Sequence, residues 1–329
     1  MRVAASALLL CLAAMLSLPP AALAQSCRID SQIPDTERAA IEASGLSFVN
    51  AVLAGKADQA YAAFTVDTKA HLPADGFAQM MAGARRSFQG VQGLHMGHDY
   101  LVLDSDKGTA ARVTCGDPKQ PEESVSLAVK PVPRQAHLLI EGNTTGDGFT
   151  FVLWLIDDHG WQVQNIYLGM SSMVGKSALD LWHMAQAQAK RGHSFNAALL
   201  YAAANNVAER GSEFELGFRP QLQDEMAALK PPAALQGTNS LVWHLGGKAY
   251  KILAVGPVGA RQKLYLMVNW QTPAWKDDQE AEARNRRLMT DFARVYPEYA
   301  EVFAGVFLSE VERETGRGYR SFYPVDQTQ

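Results

Sequence analysis

The sequence predicts an α+β protein, because the spacing of its apolar residues changes from a helical period to a strand period at two places along the chain. Up to about residue 90, apolar side chains recur every three or four positions, and from about residue 94 they alternate. After Pro231 and Pro232, which no helix passes through, alternation returns and precedes one long helical pattern. These patterns predict a leader at 1–24, an α+β unit at 25–172, a helical connector at 173–232 and a smaller α+β unit at 233–329.

The first two dozen residues have the form of a cleavable secretion signal. Arg2 supplies a positive charge, and residues 7–16 form an apolar stretch too short to span a bilayer comfortably. Two prolines then precede Ala22, Leu23 and Ala24, the small-x-small pattern that a signal peptidase reads. We expect cleavage after Ala24 and a periplasmic or secreted protein of bacterial type; the alternative is a retained membrane anchor.

Cysteine content agrees with export. The chain has 3 cysteines, and cleavage of the signal removes Cys11. The remaining pair, Cys27 and Cys115, is predicted to form one disulfide in an oxidising compartment. The alternative of a redox-active thiol lacks the usual C-x-x-C pair, so a structural bridge is favoured.

Charge and hydropathy exclude two classes of partner. The formal net charge is −4, which becomes −5 when Arg2 leaves with the signal. A mildly acidic chain does not offer the basic face that nucleic acid requires. No later apolar stretch reaches spanning length, so we expect no transmembrane segment after signal cleavage.

The N-terminal unit is predicted to begin with helices and continue with strands. One helix starts near Pro34 and ends at Gly55, a short one follows around Tyr61, and a third starts at Pro73. The strand patterns then cover 100–103, 111–115, 125–129, 137–141, 149–156 and 161–167. The run 149–156 is apolar without interruption, which predicts a strand covered on both faces.

This order of elements resembles the nuclear-transport-factor-two-like superfamily over about residues 35–170. The resemblance lies in the helix around residues 48–56, the helix at 57–64, and a sheet closed by an apolar strand, a turn and a Trp-led strand. It implies a bent antiparallel sheet wrapped as a cone around a long helix, with a pocket at the open end. The side chains that could line this pocket are Tyr61, Tyr100, Trp154 and Tyr167, although each also suits a packed core.

The connector is predicted to be a helical pair broken at Gly192. The positions of Gly192, Ala197, Tyr201 and Ala204 are similar to those of one tetratricopeptide repeat. A single repeat cannot bury its own face, so two interpretations remain: a hairpin packed on its neighbours, or a surface that binds a partner.

The C-terminal unit matches no family that we recognise. A hairpin is expected around Gly246 and Gly247, a turn at 255–259, a strand at 264–268, and a helix that opens at Asp277. A closing hairpin is expected around Gly316.

No catalytic motif, metal-ligand cluster or cofactor fingerprint is present, so no catalytic, metal or cofactor-binding residue is predicted. His95 and His98 form an H-x-x-H, but we expect them on opposite faces of a strand. The favoured hypothesis is a non-catalytic exported protein that binds a small apolar ligand, an envelope component or a protein partner. The alternative is a lyase, isomerase or hydrolase that uses an Asp or His with a Tyr in the cone.

Overall fold

The computed structural model describes residues 26–87, 90–106, 111–144, 146–236, 241–272, 274 and 276–325. The predicted signal at 1–24 lies outside this range. The described residues form eight α-helices and three sheets, which confirms the α+β class. The helices are α1 (Asp35–Ala54), α2 (Ala57–Ala62), α3 (Val66–His71), α4 (Ala74–Ser87), α5 (Ala178–Lys190), α6 (Ser194–Ala208), α7 (Arg219–Ala228) and α8 (Asp278–Val295).

Thirteen strands lie in the described residues. They are β1 (Ser26–Ile29), β2 (Gln92–Leu103), β3 (Arg112–Cys115), β4 (Val125–Ala128), β5 (Arg134–Asn143), β6 (Gly148–Asp157), β7 (Trp161–Ser172), β8 (Phe214–Leu216), β9 (Leu241–Leu245), β10 (Lys248–Ala260), β11 (Lys263–Thr272), β12 (Gly305–Glu312) and β13 (Gly318–Pro324).

The first sheet has the order β1-β2-β5-β6-β7, and all its neighbouring strands are antiparallel. Helices α1 to α4 cover one face of it, where Ile41, Phe48 and Phe77 pack against inward side chains of β5 and β6. Gly45 permits the close approach of α1, because a Cβ there would lie 2.4 Å from Leu138 Cδ1. Gly55 ends α1 in the left-handed region at a φ of 73°, as predicted for a helix C-terminus.

A second, three-stranded sheet covers the opposite face. Its order is β3-β4-β8, and its apolar side packs Val125, Leu127 and Phe214 against Val102 and Val152 of the first sheet. The prediction that residues 149–156 are covered on both faces is therefore confirmed. Strands β3 and β4 leave the first sheet instead of extending it, which the local alternation of residues could not indicate.

The third sheet has the order β13-β12-β11-β10-β9. Strands β11 and β12 are parallel and joined through α8, and the other neighbours are antiparallel. The helical pair α5–α6 packs on this sheet: the ring centroid of Phe195 lies 6.3 Å from that of Trp243 and 5.4 Å from that of Phe292 of α8. The predicted pair thus packs on neighbouring elements and shares one core with the C-terminal strands.

The prediction of a turn at 255–259 is wrong. These residues continue β10, and the chain reverses at Arg261 and Gln262, which have positive φ angles of 47° and 59°. A two-residue hairpin turn with positive φ at both positions matches the twist of the strands. Beyond Ile252, β10 pairs only with β11 among the described residues, so Pro257 lies on a strand edge where its missing N–H is tolerated.

The predicted disulfide between Cys27 and Cys115 is confirmed. It joins β1, at the edge of the first sheet, to β3, at the edge of the second, across 88 residues of sequence. Cys115 is 1% exposed, so the bridge lies inside the contact between the two sheets.

Loss of this disulfide should destabilise the protein strongly. Replacing both cysteines by serine, or reducing the bridge, frees a loop of 88 residues in the unfolded chain. The loop-closure argument predicts a loss of about 4 to 5 kcal/mol from the free energy of unfolding. Guanidinium denaturation with and without reductant measures this loss. The Cys27→Ser/Cys115→Ser variant should be insensitive to reductant; an unchanged midpoint in the reduced parent protein would contradict the prediction.

Candidate functional site

The four side chains proposed to line a pocket do not lie together. Tyr61 lies under the helices, where its ring packs near Phe64 and Phe77 and its hydroxyl donates to the Leu72 carbonyl oxygen at 3.0 Å. Tyr100, Trp154 and Tyr167 lie on the opposite face of the first sheet, where each packs close to the second sheet or α6. The face toward α1 is instead filled by the apolar core.

Strand register explains why Tyr100 and Trp154 lie in one row of side chains, with Tyr167 on the same face of the sheet. Tyr100 lies opposite His137, His137 opposite Trp154, and Trp154 opposite Asn165, so one row of side chains crosses four strands. Directly opposite residues in antiparallel strands place their side chains on one face about 5 Å apart. His137 is the member of this row that the sequence analysis missed; a histidine inside an apolar strand was the available signal.

His137 is a neutral, buried side chain. It is 0% exposed, and its ring stacks on Trp154 with the centroids 5.4 Å apart. Burial lowers its pKa to about 3, although a hydrogen bond to the backbone opposes this shift. Because a carbonyl oxygen only accepts, Nε2 carries the ring proton and donates to the Ala128 carbonyl oxygen of β4 at 3.0 Å. Nδ1 is buried and has no hydrogen-bond partner among the residues that the structure describes.

Arg210 is a buried cation at the end of α6. Its Nη1 donates to the carbonyl oxygens of Met170, Val207 and Glu209 at 3.1, 2.5 and 2.8 Å. A cation suits the C-terminal end of a helix, where carbonyl oxygens lack intrahelical partners. Burial lowers the pKa of this guanidinium, and in the described part of the chain its Nε has no hydrogen-bond partner.

These side chains surround a cavity of about 10 Å³, which is about the size of one water molecule. Two of the residues predicted to line a pocket, Trp154 and Tyr167, line this cavity. Its complete lining is His137, Val152, Trp154, Asn165, Ile166, Tyr167, Arg210 and Glu213. A cavity of this volume does not admit an organic ligand.

A larger cleft lies on the solvent side of the second sheet. It has a volume of about 230 Å³ and is lined by Thr114, Pro118, Pro121, Ser124, Val125, Ser126, Glu215, Leu216, Gly217 and Pro220. Sequence analysis did not identify it, because its lining comes from β3, β4 and β8, and β8 is separated from β4 by about 90 residues.

The floor of this cleft is a polar row set by strand pairing. Thr114 lies opposite Ser126, and Ser126 lies opposite Glu215, so the three side chains share the face that points away from the apolar core. Arg112 lies beside the row, and its guanidinium donates to the Ser126 hydroxyl at 2.9 Å and to the Ser212 carbonyl oxygen at 2.9 Å. Within the described residues, the Glu215 carboxylate accepts no hydrogen bond and forms no ion pair.

The wall of the cleft is held by one close backbone contact. Gly217 N–H donates to the Ser124 carbonyl oxygen at 2.8 Å. A Cβ at Gly217 would lie 2.1 Å from Ser124 Oγ and 2.8 Å from the Pro121 carbonyl oxygen. Glycine at this position therefore brings the start of α7 against the Pro121 turn and closes one side of the cleft.

An acidic cluster lies at the other side of the N-terminal unit, between α1 and β2. Asp99 is 2% exposed and faces Glu42 of α1. Asp30 accepts from the Asp99 backbone N–H at 2.9 Å and from His98 Nδ1 at 2.9 Å. Arg38 Nε lies 3.7 Å from Glu42 Oε1. Burial, followed by the hydrogen bond to Glu42, raises the pKa of Asp99 to about 7.

The expectation that His95 and His98 point to opposite faces is wrong. A register shift between Met96 and His98 places His95 opposite Glu141 and His98 opposite Leu139, which share a face of β5. The two imidazoles nevertheless have different partners, Glu141 and Asp30. Among the described residues, no three His, Cys, Asp or Glu side chains are grouped so that they could hold a metal ion.

None of the helices in the described ranges has both the length and the apolarity needed to cross a bilayer. Comparisons with protein-family models, curated proteins and solved structures find no match to this chain. The resemblance to the nuclear-transport-factor-two-like superfamily stays a prediction.

The raised pKa of Asp99 predicts a pH-dependent stability. The folded carboxyl holds its proton up to about pH 7, whereas an unfolded Asp loses it near pH 4. Unfolding therefore releases a proton between these values, and the free energy of unfolding should fall as the pH rises through this window. Asp99→Asn keeps the size of the side chain and should flatten this part of the profile.

Thermal unfolding from pH 4 to pH 8 measures the effect. The matched control is Asp224→Asn, which removes one exposed carboxylate from α7. Asp224→Asn should retain the parent profile; equal slopes in both variants would show that Asp99 is not the titrating group.

Proposed function

We propose that this chain is an exported, non-catalytic binding protein, and that a small ligand occupies the cleft on the second sheet. The observation that carries the proposal is the cleft itself, with a volume of about 230 Å³, a polar floor and proline walls. Ligand sites are concave and combine apolar lining with a few placed polar groups. This volume suits a ligand smaller than a typical drug-sized molecule.

Export is supported by two independent features. The disulfide between Cys27 and Cys115 fits an oxidising compartment. Residues 1–24 have the charge, the apolar stretch and the small residues of a secretion signal. We propose a periplasmic protein whose mature form begins at Gln25, which the mass of the intact protein from a periplasmic extract would reveal.

We also propose that the helices and first sheet belong to the nuclear-transport-factor-two-like superfamily, on the order of elements alone. That resemblance implies a pocket at the open end of the cone, between the sheet and the helices. In this chain Phe48, Phe64 and Phe77 fill that space, since each is at most 2% exposed. A site on the second sheet is therefore favoured over a site in the cone.

One observation favours the catalytic alternative. Asp99 has the raised pKa that a general acid or base requires near neutral pH. However, it is 2% exposed and faces Glu42 of α1 instead of a cleft. A general acid must reach the proton of its substrate. Binding is therefore the better-supported function.

The cleft can be tested by filling it. Thr114 is exposed on β3, and Thr114→Trp should place an indole over the polar floor without disturbing the apolar side of the sheet. A ligand retained by the parent protein, detected by native mass spectrometry after mild purification from the periplasm, should be lost from this variant. Ala249→Trp, an exposed position on β10, is the matched control and should retain the ligand.

Thermal-shift panels of lipids, sugars, amines and metals extend the test to ligands lost in purification. A compound that stabilises the parent and Ala249→Trp, but not Thr114→Trp, would support the cleft as its site. A parent protein that retains no ligand and responds to no compound would contradict the proposed function.

A further inference from the structure

We infer that the ligand of the cleft carries a positively charged amino group, which binds to the Glu215 carboxylate. This inference rests on the proposed function and names the class of ligand. The geometry of the polar floor and the chemistry of the cleft walls support it separately.

The Glu215 carboxylate forms no ion pair within the described residues. None of the ten residues that line the cleft is Lys, Arg or His. The nearest guanidinium along the strands, that of Arg112, donates to the hydroxyl and carbonyl oxygen of Ser126 and to the Ser212 carbonyl oxygen. Glu215 is half-buried, and within the described residues no group donates a hydrogen bond to its carboxylate. A charge-assisted hydrogen bond to a ligand would satisfy it.

The neighbours of Glu215 suit an ammonium group. An ammonium has three donors and no acceptor. The row of Thr114, Ser126 and Glu215 presents two hydroxyl oxygens and a carboxylate at the spacing of adjacent strands, about 5 Å. The Ser126 hydroxyl already accepts from Arg112 Nε and retains one lone pair for a ligand.

The walls of the cleft do not suit planar ligands that bind by stacking on aromatic side chains. Pro118, Pro121 and Pro220 line the cleft, and none of its ten lining residues is aromatic. Nucleobases are commonly held by aromatic rings that cover their faces. A short hydrocarbon chain, in contrast, gains from any apolar wall. The arrangement therefore fits a small aliphatic amine better than a planar or polycyclic compound.

Three probes with the same chain of four carbons separate charge from shape: butylammonium, butanol and butyrate. Each is titrated into the full-length mature protein, and amide chemical shifts of 114–126 and 215–220 are followed by NMR. Butylammonium should give saturable shifts in these segments, butanol weaker ones and butyrate none. Added salt should weaken the binding of butylammonium and leave that of butanol unchanged.

The Glu215→Gln variant keeps the shape of the cleft and removes its charge. It should weaken butylammonium binding about tenfold, because a hydrogen bond to a charged group is stronger than its neutral equivalent. Asp224→Asn is the matched control and should leave the affinity unchanged. Equal melting temperatures and equal butanol binding in the three proteins would show that Glu215→Gln is folded.

The outcomes distinguish the two levels of the proposal. If butanol or butyrate binds the cleft as well as butylammonium, or if Glu215→Gln keeps the parent affinity, the amine inference fails and the binding function stands. If no probe shifts the cleft and the parent protein also retains no ligand and responds to no thermal-shift compound, the proposed function fails with it.

Discussion

Strand β6 is apolar on both faces, and the need to bury both of them determines how the N-terminal half of this protein is assembled. Phe151, Leu153 and Leu155 face the helices, and Val152 and Trp154 face the other way. Fully burying each large apolar side chain contributes about 1.5–3 kcal/mol, so neither face can be left in water without a large loss of stability. Helices α1 to α4 cover one face, and the second sheet with the end of α6 covers the other.

The second cover is drawn from distant parts of the chain. Strands β3 and β4 lie in the long segment that connects β2 to β5, and β8 follows α6 in the sequence. The disulfide joins β3, at one edge of the second sheet, to the first sheet. The hydrogen bond from His137 to the Ala128 carbonyl oxygen joins the middle strand, β4, to the first sheet as well. The floor of the cleft is the polar, solvent-facing side of the second sheet. Its walls are the segments that follow β3 and β8, with Pro118, Pro121 and Pro220.

Burial also decides which polar groups carry charge. His137 is fully buried and neutral, and Asp99 is nearly buried and keeps its proton to about pH 7. Removing a charge from water is costly unless a partner compensates for it, and both groups avoid this cost by staying neutral. Arg210 stays charged because the carbonyl oxygens of Val207 and Glu209, at the end of α6, and of Met170, in β7, accept from it. Glu215 lies on the solvent side of the second sheet, where it is half-buried and lines a cleft that a ligand can reach.

The site was harder to predict than the elements. Alternation places Tyr100, Trp154 and Tyr167 on one face of the first sheet. Tyr61 lies on the other side of the sheet, under the helices, and a helical pattern does not say which face of a sheet the helix covers. The cleft could not be predicted from local patterns, because Ser126 and Glu215 meet only through the pairing of β4 with β8.

By itself, the sequence determined the α+β class, the positions of most helices and strands, the hairpin at Gly246–Gly247 and the disulfide pair. Each of these depends on residues close together in the chain, or, for the disulfide, on the prediction that Cys11 belongs to a secretion signal and leaves only two cysteines to pair. Tertiary structure alone decided that β3 and β4 leave the first sheet, that the helical pair shares its core with the C-terminal strands, and that residues 255–259 run straight through as strand. The physical reason is that apolar spacing specifies which side of an element is buried, whereas the partner that buries it is selected by the packing of the whole chain.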